Sequence, residues 1–427
     1  MSNRRQFLGG LISAAGVAAS GQTPTSRIVG ANDRVRFGLI GAGARGTEDF
    51  GFAVKCNNVE AVAVADIYAA RFTGVMKLAP NMKTYLDFRR LLDDKSIDAV
   101  LIVTPQHNHC LNFVPAIQAG KDVYQEKTMA FTPNHARRMK HAFQGSGRVV
   151  QIGMQMNSGP GFEKARGLAT KENLGSITAL QAFHFRNSPY GGWMRQVPAD
   201  CDAAHVDWTA FQGEAKSYPF DPQRYMNWRF YWDYSGGNVF ENMVHQVGFW
   251  YGALNWGIPE AVTMVGADYL APNMHVPDTM SVTMQQPEKV LFTWNSMFGN
   301  AYFGEGYDLL FGNVGTLIHD QADNVALLPQ RRRAPRTAAA AALATSAPAP
   351  VAAPPAAPAT APPIGAGGYH DFTTAHLQNF FDCVRSRKDP VCPFDLGYRV
   401  AIACQMAIAS YRQQRTVRWD PETEDIV

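Results

Sequence analysis

A two-part α/β fold is predicted: an N-terminal doubly wound parallel sheet, followed by an α+β domain on a large open, mostly antiparallel sheet. Three observations predict it. Strand-like and helix-like segments alternate from Arg34 to Gly153. Beyond Gly153 the strand-like segments follow one another with few helices between them. A glycine turn, Gly41-x-Gly43-x-x-Gly46, joins the first strand to the first helix.

The first strand is Arg34 to Ile40, "RVRFGLI", which alternates and then runs apolar, as a strand buried on both faces does. Asn58 to Ala65 is the second and ends at Asp66. Ile97 to Thr104, Asp122 to Tyr124 and Val149 to Gly153 continue the series, with helical segments near Phe72 to Leu78, Tyr85 to Leu92 and His109 to Ala119. This spacing requires right-handed crossovers and hence a parallel sheet over residues 33–155. Residues 156–427 form the second domain. Ile177 to Arg186, Ala261 to Tyr269, Met280 to Gln285, Val290 to Trp294 and Tyr307 to Phe311 are its strands. One helix, Asn238 to Leu254, interrupts them with Asn238 placed to cap it, and His376 to Arg385 and Tyr398 to Gln414 close the chain as helices. Residues 334–366 are almost entirely Ala, Pro, Thr and Ser, a composition that buries too little apolar surface to order itself. A disordered or polyproline-like surface insertion is expected there.

At 427 residues with 46 % hydrophobic content, two cores can be filled. The 39 basic and 36 acidic residues leave a net charge of +3 with no long basic tract, so nucleic acid is not an expected partner. Six cysteines show no C-x-x-C pairing, and neither structural zinc nor a required disulfide is expected. The first 25 residues are distinctive. Asn3-Arg4-Arg5-Gln6-Phe7-Leu8 precedes a mild apolar run, Leu11 to Ala19, too short to span a bilayer and ending in small residues. This resembles a twin-arginine export signal, which implies the export machinery as a partner and a periplasmic or otherwise exported mature protein.

The glycine turn gains meaning from its context: a strand precedes it, a helix can follow, and Asp66 ends the next strand. Gly41 permits the tight turn, Gly43 lets backbone N–H groups of the Ala44-Arg45 start approach a pyrophosphate, and Gly46 lets helix pack on strand. This is the Rossmann arrangement. Asp66 is then placed for the adenosine ribose hydroxyls, so NAD is preferred over NADP, while Arg45 can face the phosphates. Because ligands of open α/β sheets sit at the carboxyl ends of strands, Thr104, Pro105, Gln106 and His109 are expected along the nicotinamide side. His107 and His109 lack a third ligand at suitable spacing, so no metal site is expected. Downstream, Glu241 and His245 share a helical face among apolar neighbours. They are either an ion pair or satisfied core histidine, or an imidazole oriented by a carboxylate to accept a proton. Trp228 and Arg229 lie in an aromatic run that either fills the core or forms a floor for sugar rings.

Together, Gly41-Ala-Gly43, "TPQHNH" (104–109), Glu126-Lys127, Gln155, "YSGGNVFENMVH" (234–245), "GNVGTLI" (312–318) and "WDPETEDIV" (419–427) resemble the Gfo/Idh/MocA oxidoreductase family. The resemblance implies NAD(P)-linked chemistry on sugars, cyclitols or their derivatives and oligomerisation through the open sheet. It carries the family's E-K-P lysine onto Lys127, with Glu126 and Gln155 beside the cofactor, and the family's aspartate and histidine onto Glu241 and His245. Thr128 replaces the usual proline, which should loosen the backbone near Lys127, and Glu241 replaces the usual aspartate. The expected activity is hydride transfer between tightly bound NAD and a carbohydrate, glycoside or polyol hydroxyl. His245 would act as base and Lys127 would stabilise the developing oxyanion. One alternative is a glycosidase or lyase that oxidises the sugar only transiently; another is a non-catalytic nucleotide- and sugar-binding protein.

Overall fold

The structure, a computed structural model, describes residues 34–301, 306–320, 322–330 and 368–427. The export-like segment (1–25) and the Ala/Pro-rich insertion (334–366) lie outside the described residues.

Six strands build the first sheet: β1 (Val35–Ile40), β2 (Val59–Ala65), β3 (Lys83–Tyr85), β4 (Ala99–Ile102), β5 (Asp122–Glu126) and β6 (Val150–Gly153). They are parallel throughout, in the order β3-β2-β1-β4-β5-β6. This is the doubly wound order whose direction reverses at β1 and opens a crevice beyond the strand ends. Every residue of β4, β5 and β6 is buried, as both covered faces of a parallel sheet require. The register pairs Ile40 with Ile102, Ile102 with Gln125 and Glu126 with Gly153. The four central strands therefore end level, and the residues after them emerge along one edge. The sequence reading ended the fifth strand at Tyr124; it runs two residues further, so Glu126 is its last member and Lys127 its first exit residue. The segment read as helix from Tyr85 begins instead with the end of β3, and the helix starts at Phe88 after an Asp87 cap. The helix Pro133–Phe143, capped by Thr132, escaped the sequence reading.

The second sheet has nine strands: β7 (Ile177–Phe185), β8 (Ala261–Ala267), β9 (Thr279–Gln285), β10 (Leu291–Met297), β11 (Tyr307–Gly312), β12 (Gly315–Asp320), β13 (Val325–Pro329), β14 (Val417–Asp420) and β15 (Asp425–Ile426). Their order is β13-β12-β11-β7-β10-β9-β8-β14-β15, antiparallel except for the β7/β10 pair. Alternation fixes which face is covered. Leu180, Ala182 and His184 point into the core from β7, while Gln181, Phe183 and Phe185 point to the open face. The helices Val244–Leu254 and Phe394–Gln413 pack together beneath the covered face.

Buried polar ties fix the first of these helices. Trp250 Nε1 donates to Asp308 Oδ2 (2.8 Å), Gln246 donates to the other oxygen, and Trp294 Nε1 donates to Gln246 Oε1 (2.6 Å). His319 stands between Asp308 (3.3 Å) and Asp323 (3.2 Å) and stacks on Phe249 at 4.1 Å. Burial alone would lower the His319 pKa, but the two carboxylates outweigh it and raise it to about 9. The imidazolium thus keeps two buried carboxylates neutralised where helix meets sheet.

Candidate active site

The glycine turn is a cradle with no room for side chains. A Cβ on Gly46 would lie 1.9 Å from the Gly41 carbonyl oxygen, and one on Gly41, whose φ is +94°, would lie 2.7 Å from the Val103 carbonyl oxygen. The first helix, Ala44–Ala53, starts after Gly43 without a side-chain cap, leaving its first amide donors to a ligand. These residues fit a dinucleotide's pyrophosphate. Asp66 follows β2 at the rim of the adjoining cavity, where its carboxylate accepts from Ala42 N (2.7 Å) and Tyr68 N (3.0 Å). The Arg71 guanidinium stands 3.8 Å from Asp66 and 4.8 Å from the Tyr225 ring centre.

Asp207, Thr209, Phe211 and Tyr225 of the second domain also line this cavity, and contacts nearby tie their segment to the end of β2. The Tyr68 hydroxyl donates to Asp200 (2.6 Å), Asp207 N donates to the Ile67 carbonyl (3.1 Å), and Tyr68 bridges to Val206. Tyr68 packs in one apolar cluster with Cys201, Phe211, Tyr225 and Tyr234.

A second cavity of about 550 Å³ extends from Gly43 to His245. Thr104 and Pro105 line both cavities, and Gln106, Glu126, Lys127, Gln155, Trp228 and Arg229 line the second. Lys127 Nζ donates to the Glu241 carboxylate (2.9 Å) and carbonyl (3.0 Å). Glu241 also accepts from Gln106 Nε2 (2.7 Å) and pairs with Arg229 Nε (3.2 Å), whose guanidinium lies 4.3 Å over Trp228. Burial would raise the Glu241 pKa, yet Arg229 and Lys127 pull it down to about 2. The carboxylate expected to orient His245 is thus committed to Lys127, Arg229 and Gln106.

The reason is local. The continuous helix expected over Asn238 to Leu254 opens with a wider π-turn, Val239–Met243, before regular helix resumes at Val244. Asn238 does not cap it; its amide donates to Ser296 Oγ across to β10. His245 is 6 % exposed at the cavity wall. Burial first, then Lys127, Arg45, His184 and Arg186, push its pKa well below the usual histidine range, so it is a neutral imidazole near pH 7.

Two further expectations change. His109 does not face the crevice: it is buried, with Nδ1 on the Thr128 carbonyl (2.7 Å) and Nε2 on the Thr104 carbonyl (2.9 Å), and burial lowers its pKa to about 4. It braces the strand exits from behind. Thr128 does not leave the lysine loosely held. The Lys127–Thr128 peptide is cis, and the buried Thr128 hydroxyl donates to the Phe240 carbonyl (2.9 Å) while its carbonyl meets His109. Arg45 does line the cavity, and its guanidinium also reaches Glu48 (3.0 Å), Asp49 (3.0 Å) and Glu126 (3.6 Å). The sequence reading missed Arg186, Arg195, Trp193 and Asn242, which complete the wall. Arg186 had a signal, since it directly follows an alternating strand whose exit faces the same cavity.

Fold and site define a two-domain dinucleotide-binding protein with a titratable cluster at the mouth of its parallel sheet. Residues 35–154 match the profile of the Gfo/Idh/MocA oxidoreductase family, NAD-binding Rossmann fold. It is 30 % identical over 157 residues to an inositol 2-dehydrogenase of Salmonella typhimurium, covering 36 % of this chain and 47 % of that one. It is 26 % identical over 295 residues to an uncharacterised oxidoreductase of Streptococcus pneumoniae, covering 67 % and 68 % of the two chains. The chain thus spans about half the length of the inositol dehydrogenases it matches. Among solved structures, a levoglucosan dehydrogenase complexed with NADH and levoglucosan superposes with a TM-score of 0.64 at 17 % identity, covering 90 % of this chain and 99 % of that one. That likeness shows the fold.

Proposed function

We propose that the protein transfers hydride between NAD and a hydroxyl-bearing carbon of a carbohydrate, glycoside or polyol. One observation carries this: the Lys127 ammonium and the neutral His245 imidazole line the cavity that begins at the glycine turn. NAD held by the turn, Asp66 and the strand exits supplies the hydride acceptor. His245, uncharged at neutral pH, takes the hydroxyl proton. Lys127, braced by Glu241, donates to the same oxygen as negative charge develops there. Gln106 and Arg229 keep Glu241 in place. The inositol and sugar dehydrogenases among the relatives and fold neighbours support a polyhydroxylated substrate.

A second reading has a specific support. Asp207, Phe211 and Tyr225 of the second domain line the adenosine side together with Gly41 and Asp66, so both domains would grip the cofactor, which favours its being kept between turnovers. Retention suits a cycle in which a sugar carbon gives its hydride to NAD, the acidified neighbouring carbon loses a proton as the glycosidic substituent leaves as an alcohol, water adds to the resulting double bond and the hydride returns, so that no net redox change remains. Export by the twin-arginine route, supported by Arg4-Arg5 and the short apolar run, would fit such a cycle, because a folded protein carries its cofactor along. Self-association through the open sheet face is supported by its half-buried Phe183, Phe185 and Tyr307, whose rings stack at 5.7 and 6.3 Å.

The test is to purify the protein, identify any bound nucleotide, and follow absorbance near 340 nm across a panel of polyols and glycosides. Lys127→Met should abolish turnover while NAD still binds; unchanged turnover would overturn the assignment. Glycoside cleavage without NADH accumulation would select the second reading.

A further inference from the structure

We propose that the substrate carries an anionic substituent, a carboxylate, sulfate or phosphate on the sugar, received by Arg186 with Arg195 beside it. The inference rests on the reading of the Lys127–His245 cavity as the substrate site and specifies what enters it.

Six cationic side chains and three carboxylates line this cavity. Four of the cations are matched by acidic groups: Arg45 by Glu48, Asp49 and Glu126, Arg71 by Asp66, and Lys127 and Arg229 by Glu241. Arg186 and Arg195 have no carboxylate within ion-pair distance among the described residues. Arg186 follows β7 and is half-buried. Its Nε donates to His184 Nε2 (2.9 Å), one terminal nitrogen to the Gly191 carbonyl (3.1 Å) and the other to Asn242 Oδ1 (3.1 Å). All three acceptors are uncharged: the buried His184 is kept neutral by desolvation and by Arg186 itself. They aim the guanidinium without neutralising it. Of its five N–H groups two remain, one on each terminal nitrogen, the arrangement that a carboxylate, sulfate or phosphate accepts. Arg195 likewise spends one nitrogen on the Gly192 (3.0 Å) and Met194 (3.1 Å) carbonyls and keeps its charge.

A partly desolvated cation without a counter-charge is costly, and a bound anion removes that cost. The cofactor's phosphates do not account for it. They belong at the Gly43–Ala44 helix start, where Arg45 and Arg71 already stand, whereas Arg186 is anchored to Asn242, three residues before His245. The location has a chemical consequence. Arg186 is among the cations that hold the His245 pKa down, so an anion placed on it makes His245 a stronger base when substrate is bound.

The experiment uses the full NAD-loaded protein and compares glucose with glucuronate, glucose 6-sulfate and glucose 6-phosphate, and galactose with galacturonate. Binding is followed by calorimetry at 50 and 500 mM NaCl, and turnover at 340 nm. At least one anionic sugar should bind about 10- to 100-fold more tightly than its neutral parent, with the advantage shrinking in high salt. The three anions distinguish the source of the charge. Arg186→Gln should reduce that preference by about 10- to 100-fold while NAD affinity is kept. Arg195→Gln, exposed and bonded only to two backbone carbonyls, should fold normally and reduce it less. Equal or tighter binding of neutral parents, a preference untouched in both variants, or no binding of any anionic sugar overturns the proposal. The two readings fail separately: oxidation of neutral sugars alone sinks this one and spares hydride transfer, whereas Arg186-dependent anion binding without any redox or cleavage signal does the reverse.

Discussion

Replacing Glu241 with Gln preserves shape and removes one buried charge. In the folded protein burial works against the carboxylate, but Arg229 and Lys127 bring its pKa from 4.5 to about 2. At about 1.36 kcal/mol per pK unit, the fold favours the ionised form by roughly 3 kcal/mol. Because the folded pKa is depressed, this contribution is present above about pH 4.5 and lost as the pH falls through about 2. The Glu241→Gln variant forfeits it and leaves Lys127 and Arg229 facing a neutral amide. The charge-assisted bond to Lys127 is worth about 1.5–3 kcal/mol, so if it is expressed in the transition state kcat falls about 10- to 150-fold. Steady-state rates at 340 nm, NAD titration and thermal unfolding of Glu241→Gln, Lys127→Met and the double variant measure these quantities. NAD affinity should persist, and the two substitutions should couple by about 0.5–3 kcal/mol in stability, since their side chains touch at 2.9 Å. Additive stability effects, or kcat within twofold of the parent, would refute Glu241 as the brace of Lys127.

The acidic limb of kcat/KM should lie below pH 6.5, because burial and the surrounding cations depress the His245 pKa in the free protein; a limb above 7 would remove His245 as the base. Stability should fall as the pH rises from 6.5 through about 9, by up to roughly 3 kcal/mol, as the His319 imidazolium between Asp308 and Asp323 loses its proton. Urea unfolding at pH 6 and 9.5 measures this, and His319→Gln should flatten the difference. Gly46→Ala should abolish NAD binding, because its Cβ would lie 1.9 Å from the Gly41 carbonyl oxygen; titration of a variant with an unaltered circular dichroism spectrum checks it.

Local patterns carried much of this protein's description. Apolar runs punctuated by glycine and proline placed the parallel strands, because a strand buried on both faces must be apolar throughout. The Gly41–Gly46 spacing and the acidic residue after β2 marked the crevice at the strand ends, because only glycine permits backbone to approach that closely. Lys127 and His245 were legible through resemblance. Whom Glu241 serves was not. Helical spacing placed it beside His245, but the π-turn at Val239–Met243 and the arrival of Lys127, Gln106 and Arg229 from three distant segments committed its carboxylate elsewhere. His109 and Thr128 escaped the sequence reading because their partners are set by tertiary contacts: His109 meets the Thr104 and Thr128 carbonyls only once the first sheet has folded, and the Thr128 hydroxyl meets the Phe240 carbonyl only when the two domains pack. The sequence by itself determined most strands of the parallel sheet, the chemistry of the glycine turn and the inventory of charges. Tertiary structure alone decided which charges neutralise one another and which, like Arg186, are left for a ligand, since Coulomb energy depends on distance and desolvation and neither is a property of local sequence.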